Sequence, residues 1–311
     1  MVILAIVPFA SAQKKVVAYV PNWIDLKSFS ETIDYKIITH INLAFENPTN
    51  GKGDLSFNKS NEFLITKAKA NHVNILLSIG GGSASSDKTL LARYAKLLTK
   101  AERDGFVARI SQYLTKHGFD GLDVDIEGPS IDKNYGAFIS DLAKELKPKK
   151  LLLTAAVSKG YGGEKIADAT LGEFDFINIM AYDAKGSWNA NDPGQHSSME
   201  FAKENVNYWL GRGVPKNKAV LGVPFYGYGF GKAFRKSSYA YNEILAAHTG
   251  AEKVDQIGST IWYNGIGTIK EKTQYVINQD LLGVMIWSLD NDLKGEKSLL
   301  SAMAEILKLR P

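Results

Sequence analysis

The chain has 311 residues, enough for one large domain or two ordinary ones, and only an α/β barrel or a large β structure routinely uses that length as a single unit. Apolar and charged fractions of 45% and 23% are those of an ordinary globular protein and argue against both a disordered and a membrane-spanning chain. The 37 basic and 33 acidic residues leave a net charge of only +4, without a run that would mark a nucleic-acid tract, and the absence of cysteine excludes disulfides, thiolate nucleophiles and sulfur-ligated metal.

Residues 1–12 carry no charge and form an apolar stretch over 2–9, followed by Ala10-Ser11-Ala12, the small-residue pattern a signal peptidase accepts. This predicts a signal peptide over 1–12, cleaved after Ala12, and a secreted or periplasmic mature protein. The run is far shorter than the roughly 20 residues of a membrane span. No Lys or Arg precedes it, so the alternatives are a true start that lies upstream or a buried first strand.

Beyond it, short β-branched runs alternate with amphipathic helical stretches, the pattern of βαβ units and a parallel sheet. Eight runs read as strands: 16–20, 37–45, 74–79, 121–127, 151–157, 176–182, 219–225 and 283–289. Helices are predicted over 90–98, 103–116 and 135–146, where apolar residues recur at three- and four-residue spacing. Eight strands with intervening helices predict a (β/α)8 barrel over 13–311 as a single domain. The rival, a doubly wound open sheet that binds a dinucleotide, would need a Gly-rich phosphate loop after its first strand, and none is present. A barrel takes about 250 residues, so about 50 remain for insertions, and the longest interval, 227–282, is expected to hold a helix and an elaborated loop.

The fourth run and its exit read Phe119-Asp120-Gly121-Leu122-Asp123-Val124-Asp125-Ile126-Glu127-Gly128. Period-two alternation puts Leu122, Val124 and Ile126 on one face, toward the helices, and Asp123, Asp125 and Glu127 on the other, inside the barrel and rising toward the rim where barrel enzymes place their chemistry. Carboxylates about 6 to 7 Å apart in a confined site raise one another's pKa, so at least one proton is retained. Glu127, nearest the mouth and on the longest side chain, is best placed to deliver it to a leaving group. An all-oxygen metal site is the competing functional reading, without a His in or beside the strand to support it.

The segment 120–127 resembles the Asp-Gly-x-Asp-x-Asp-x-Glu signature of family 18 glycoside hydrolases, the chitinase family. Further elements resemble that family in the right order: Ser78-Ile79-Gly80-Gly81, Met180-Ala181-Tyr182-Asp183, Val223-Pro224-Phe225-Tyr226-Gly227 and Met285-Ile286-Trp287-Ser288-Leu289. The resemblance implies hydrolysis of β-1,4 linkages between N-acetylglucosamine units with retention, in which the substrate's own acetamido oxygen replaces the usual second carboxylate as nucleophile. Glu127 would act as general acid and then as general base. Asp125 would orient the acetamido N–H, Asp123 would share a proton with Asp125, Tyr182 would donate to the acetamido oxygen, and Asp183 would contact the reacting sugar. Asp120, Ser78 and Gly81 of the matched motifs would support these groups from behind. No metal or cofactor is implied.

Pyranose rings pack their C–H faces on aromatic rings. The resemblance makes Trp287 the floor beneath the reacting sugar and Trp188 a platform on the leaving-group side, and lines the pocket with Tyr19, Phe45, Met180 and Tyr226; the alternative for each aromatic is core packing. Trp23, Trp209 and Trp262 carry no assignment. His40, His72, His117, His196 and His248 read as structural or surface residues. Because 227–282 is too short for the full α+β insertion of larger family members, a shallower, more open groove and endo-type cleavage are expected. The expected partner is chitin or another N-acetylglucosamine-containing glycan, bound by a monomer, with no nucleic acid and no membrane after signal removal. Two other functions remain open: an endo-β-N-acetylglucosaminidase acting on N-glycans or peptidoglycan, and a catalytically silent lectin on the same scaffold.

Overall fold

The computed structural model describes residues 13–309, so the signal peptide expected over 1–12 lies outside the described residues. Among the described residues twelve strands are formed: β1 (Lys15–Pro21), β2 (His40–Ala44), β3 (Asn74–Gly80), β4 (Gly121–Asp125), β5 (Leu152–Val157), β6 (Phe176–Ile179), β7 (Ala219–Pro224), β8 (Tyr226–Gly229), β9 (Tyr239–Ala240), β10 (Gln256–Ile257), β11 (Ile261–Trp262) and β12 (Gly283–Trp287). Eight of them close a barrel in the order β1-β12-β7-β6-β5-β4-β3-β2, and every neighbouring pair is parallel. The (β/α)8 expectation therefore holds.

The barrel strands are buried on both faces, as parallel strands sandwiched between helices and a filled interior must be. Alternation divides their side chains. Leu122, Val124 and Ile126 join the layer between sheet and helices, whereas Val17, Tyr19, Ala156, Phe176, Val220 and Met285 fill the interior. The helices of the described residues are α1 (Leu26–Ser30), α2 (Asn61–Ala70), α3 (Gly82–Ser86), α4 (Lys88–Leu97), α5 (Arg103–His117), α6 (Tyr135–Leu146), α7 (Asp168–Leu171), α8 (Met199–Gly211), α9 (Tyr241–Ala247), α10 (Ile266–Asn278) and α11 (Leu299–Leu307). Helix α4 begins before the predicted 90–98 because Asp87 caps it, accepting from Leu90 N at 2.7 Å. At the other end of α5, Gly118 adopts the left-handed φ of 75° that stops the helix.

Several strands are shorter than their apolar runs. Residues 37–39 precede β2, β6 ends at Ile179, and β4 ends at Asp125. Glu127 thus stands beyond the strand, although its φ of −130° and ψ of 168° keep the backbone extended up to the 3-10 turn Gly128–Ser130. The interval 227–282 is more structured than an elaborated loop. It holds a four-stranded antiparallel sheet in the order β10-β11-β8-β9, together with α9 and α10.

Candidate active site

The acids of β4 rise in tiers. Asp123 is fully buried, and strands on both sides supply it with donors: Tyr19 Oη at 2.6 Å and Ser78 Oγ at 2.8 Å on Oδ2, Thr154 Oγ1 at 2.6 Å and Asn178 Nδ2 at 3.3 Å on Oδ1. Burial pushes its pKa up, and these hydrogen bonds to the charged form oppose the shift. With its lone pairs engaged by hydroxyl and amide donors, Asp123 is poorly disposed toward a metal. Among the described residues, no three His, Cys, Asp or Glu side chains are grouped to hold one.

One tier higher, Asp125 is 5% exposed and its Oδ1 has no hydrogen-bond partner. Burial, then the charges of Glu127 and Asp123, hold its pKa well above the ordinary carboxylate value. A buried polar atom left without a partner is costly, and at the mouth of a barrel it is a group held ready for a ligand. Glu127 sits above it, pushed up to about 7 by burial and by the charge of Asp183. A carboxyl titrating near neutrality can both give and take a proton.

The exit of β6 brings the second set. Tyr182 is 8% exposed, and burial, followed by the charges of Asp125, Asp183, Glu127 and Asp123, raises its phenol well above the normal range, so it remains a donor. Asp183 adopts a left-handed φ of 63°, and its Oδ1 accepts from Tyr226 Oη at 2.5 Å and Tyr228 Oη at 3.1 Å. His196 packs behind it, with Nδ1 3.5 Å from the same oxygen and Nε2 3.2 Å from the Tyr226 carbonyl. Met180 lies in the apolar interior at 8% exposure.

Around the acids runs an aromatic wall. The Trp287 ring lies 5.3 Å from Tyr19 and 5.6 Å from Phe45, stacking on the latter at 24°. Trp23, 64% exposed, stacks in turn on Phe45 at 6.4 Å and 29°. Trp188, 62% exposed, stands edge-on to Tyr228 at 5.5 Å. Gly81 makes room for this wall. It has a φ of 73°, a Cβ there would fall 2.4 Å from the Phe45 ring, and its N–H holds the Asp125 carbonyl at 2.8 Å.

The structure thus brings Asp123, Asp125, Glu127, Tyr182, Asp183, Tyr19, Phe45, Trp287, Tyr226, Ser78 and Gly81 to one end of the barrel. Asp120 does not join them. It precedes β4 at the opposite end, where its Oδ2 accepts from Ile75 N at 2.8 Å and fixes how β3 and β4 start together, as Asp175 does for Leu153 N at 2.8 Å. Five residues here were not singled out from the sequence: Trp23, Thr154, Asn178, Tyr228 and, as a neighbour of Asp183, His196. Thr154 and Asn178 carried a usable signal, being polar residues inside otherwise apolar strand runs. Of the other tryptophans, Trp209 is fully buried and Trp262 packs edge-on to Phe230 at 5.4 Å.

Comparison with known proteins meets the same family. The family model described as glycosyl hydrolases family 18 matches residues 15–292. The solved structure of the GH18 chitinase ChiB from the chitin utilization locus of Flavobacterium johnsoniae is similar at 38% identity and a TM-score of 0.87, over 95% of this chain and 94% of that one. Chitotriosidase-1 of Mus musculus is 29% identical over 94% of this chain and 76% of its own length. Human YKL-39, described as a pseudo-chitinase with retained chitooligosaccharide binding properties, aligns over 95% of this chain and 100% of that chain, at 25% identity and a TM-score of 0.80. With the family model spanning most of the described residues, the chain belongs to glycosyl hydrolases family 18.

Proposed function

We propose that the protein hydrolyses β-1,4 linkages between N-acetylglucosamine units of chitin and chitooligosaccharides, with retention and with the substrate's acetamido group as nucleophile. The observation that carries this reading is the tiered column of acids: Asp123 saturated with donors, Asp125 buried with a free oxygen, Glu127 at the mouth with a pKa near 7. Glu127 gives its proton to the glycosidic oxygen as the bond from C1 to that oxygen breaks. The acetamido oxygen closes on C1, Asp125 accepts from the acetamido N–H, and Tyr182 donates to the acetamido oxygen. Glu127, now ionised, takes a proton from the water that reopens the ring, and the configuration at C1 is retained. Asp183 is already committed to Tyr226 and Tyr228 and serves to shape the sugar pocket and to hold the Glu127 pKa up.

The aromatic row Trp287–Phe45–Trp23 and the exposed Trp188 supply flat faces for sugar rings on either side of the acids, which favours a polymer over a monosaccharide. The enzyme acts as a secreted or periplasmic monomer and needs no cofactor. Among the described residues, no helix is long and apolar enough to cross a membrane. The kinship with a pseudo-chitinase makes a silent lectin the second reading; against it stand Glu127, Asp125 and Tyr182, all present and converging. A product assay on chitooligosaccharides, run beside a high-mannose glycopeptide, separates the possibilities. Cleavage of the first supports the proposal, cleavage of the glycopeptide alone would redirect it to an endo-β-N-acetylglucosaminidase, and binding without cleavage would leave a lectin.

A further inference from the structure

The exit of β2 carries a buried carboxylate that the proposed reaction does not use. Glu46 directly follows Phe45 and is 1% exposed. Its Oε1 accepts from Asn22 Nδ2 at 2.9 Å, Asn58 N at 2.8 Å and Asn61 Nδ2 at 2.6 Å, and its Oε2 accepts from Ser56 Oγ. A buried carboxylate is tolerated only when its oxygens are fully engaged, and here the donors come from two segments well apart in sequence: the exit of β1 and the stretch leading into α2.

The same groups bind one another. Asn22 Nδ2 also reaches the Phe45 carbonyl at 2.9 Å, Asn22 N donates to the Ala44 carbonyl at 2.6 Å, and Asn58 Nδ2 donates to the Asn22 carbonyl at 2.5 Å. Asn22 is the residue before Trp23. The backbone that carries Trp23 and the backbone that carries Phe45 are therefore locked to one anion, while Trp23 itself is 64% exposed and stacks on Phe45. An exposed ring binds a sugar well only if its place is fixed beforehand, since ordering it on binding would subtract from affinity.

We propose that Glu46 is a positioning residue that holds Trp23 and Phe45 as one sugar platform and thereby sets the preference for long over short chains of β-linked N-acetylglucosamine. This rests on the reading of the Trp287–Phe45–Trp23 row as a sugar-binding surface. The test compares kcat/KM for the hexasaccharide of N-acetylglucosamine with that for a chromogenic aryl glycoside of the disaccharide, which is too short to cover the whole row. Glu46→Leu and Asn22→Ala should each lower the long-to-short ratio about tenfold, chiefly through KM for the hexasaccharide. Glu46→Gln keeps the acceptor contacts of Oε1 and should hold the ratio within about twofold of the parent. Trp23→Ala should reproduce the loss, and Glu46→Leu added to it should cost little more, because both remove the same platform. Parallel loss on both substrates, or a ratio that Trp23→Ala lowers and Glu46→Leu and Asn22→Ala do not, would overturn the role of Glu46. A ratio untouched by Trp23→Ala would instead sink the platform reading, and the proposal with it. If Glu46→Leu does not fold, Asn22→Ala decides, since it leaves Glu46 its other three donors.

Discussion

Asp123 and Glu127 stand four residues apart on one extended segment and are prepared for different states. Four donors compensate the charge of Asp123, whereas Glu127 is raised to about 7 by burial and by the anion of Asp183. With the protonated form as the proposed general acid, kcat/KM should fall as pH rises through about 7. Asp183→Asn removes the charge that disfavours ionisation of Glu127, and should move that basic limb toward lower pH by about half a unit to one unit; a limb that stays in place would assign it to another group. Glu127→Gln should abolish nearly all turnover while oligosaccharide binding persists, and Asp125→Ala should cost about 10²- to 10⁴-fold in kcat, measured on the same oligosaccharides. The raised pKa also has a consequence for stability. Between the unfolded value of 4.5 and about 7 the native state binds more protons than the unfolded one, so the stability contributed by the retained proton is present at acid pH and is lost as pH rises through that window. Glu127→Gln escapes the loss, so above pH 7 it should be more stable than the parent by at most about 3 kcal/mol, read as a higher melting temperature, and near pH 4 the two should match.

The elements hold these residues by devices that differ in how openly the sequence displays them. The acid column was legible because the period of a strand is two and three acids in step are incompatible with an apolar-facing side. The barrel was legible because its strands are continuous apolar runs. What stayed hidden depends on partners far apart in the chain: Trp23 meets Phe45, Glu46 meets Asn22 and Asn61, and Lys272 of α10 meets Ser197. Strand ends were overrun because apolar residues continue into exit loops that are themselves buried, as at Met180 and Ile126. Lys272 is the clearest case of a hidden partner. Fully buried, with its pKa pushed down to about 7 by that burial, it donates to Ser197 O at 2.7 Å, Ser197 Oγ at 2.6 Å and Asn264 Oδ1 at 2.7 Å. Ser197 Oγ in turn donates to the Ala181 carbonyl at 2.6 Å, so α10 clamps the segment that presents Tyr182 and Asp183. Lys272→Met leaves these acceptors buried without their donor, and should lower stability by about 3 kcal/mol in thermal or urea unfolding. Its residual activity, assayed well below the melting temperature, should fall in kcat more than in KM, because the group displaced is Tyr182, the proposed donor to the acetamido oxygen.

At the scale of the whole molecule, the question is whether the cleft admits a chain in mid-length or only by its end. The acids occupy one mouth of a closed barrel, and the aromatic surfaces flank them, with Trp23 at the β1 exit and Trp188 at the β6 exit, each more than half exposed. The sheet β10-β11-β8-β9 belongs to the side of Tyr228 and Trp188, and Trp188 still stands free against Tyr228 rather than being covered by it. An end-cutting enzyme needs a wall that stops the chain a fixed number of sugars from the acid, whereas open aromatic ground on both sides lets a polymer lie across. Endo-type cleavage is therefore expected. On a soluble, partly deacetylated chitin, viscosity should drop steeply while few reducing ends have formed, and a hexasaccharide should yield several product lengths from the first turnovers. Release of a single short product at every stage, with viscosity falling only in proportion to reducing ends, would show that one end of the cleft is closed. Trp188→Ala sharpens the distinction, because it removes a proposed sugar platform on one side of the acids only. It should shift the distribution of initial products from the hexasaccharide toward frames that rely on the Trp23 side, and leave the drop in viscosity per bond cleaved unchanged.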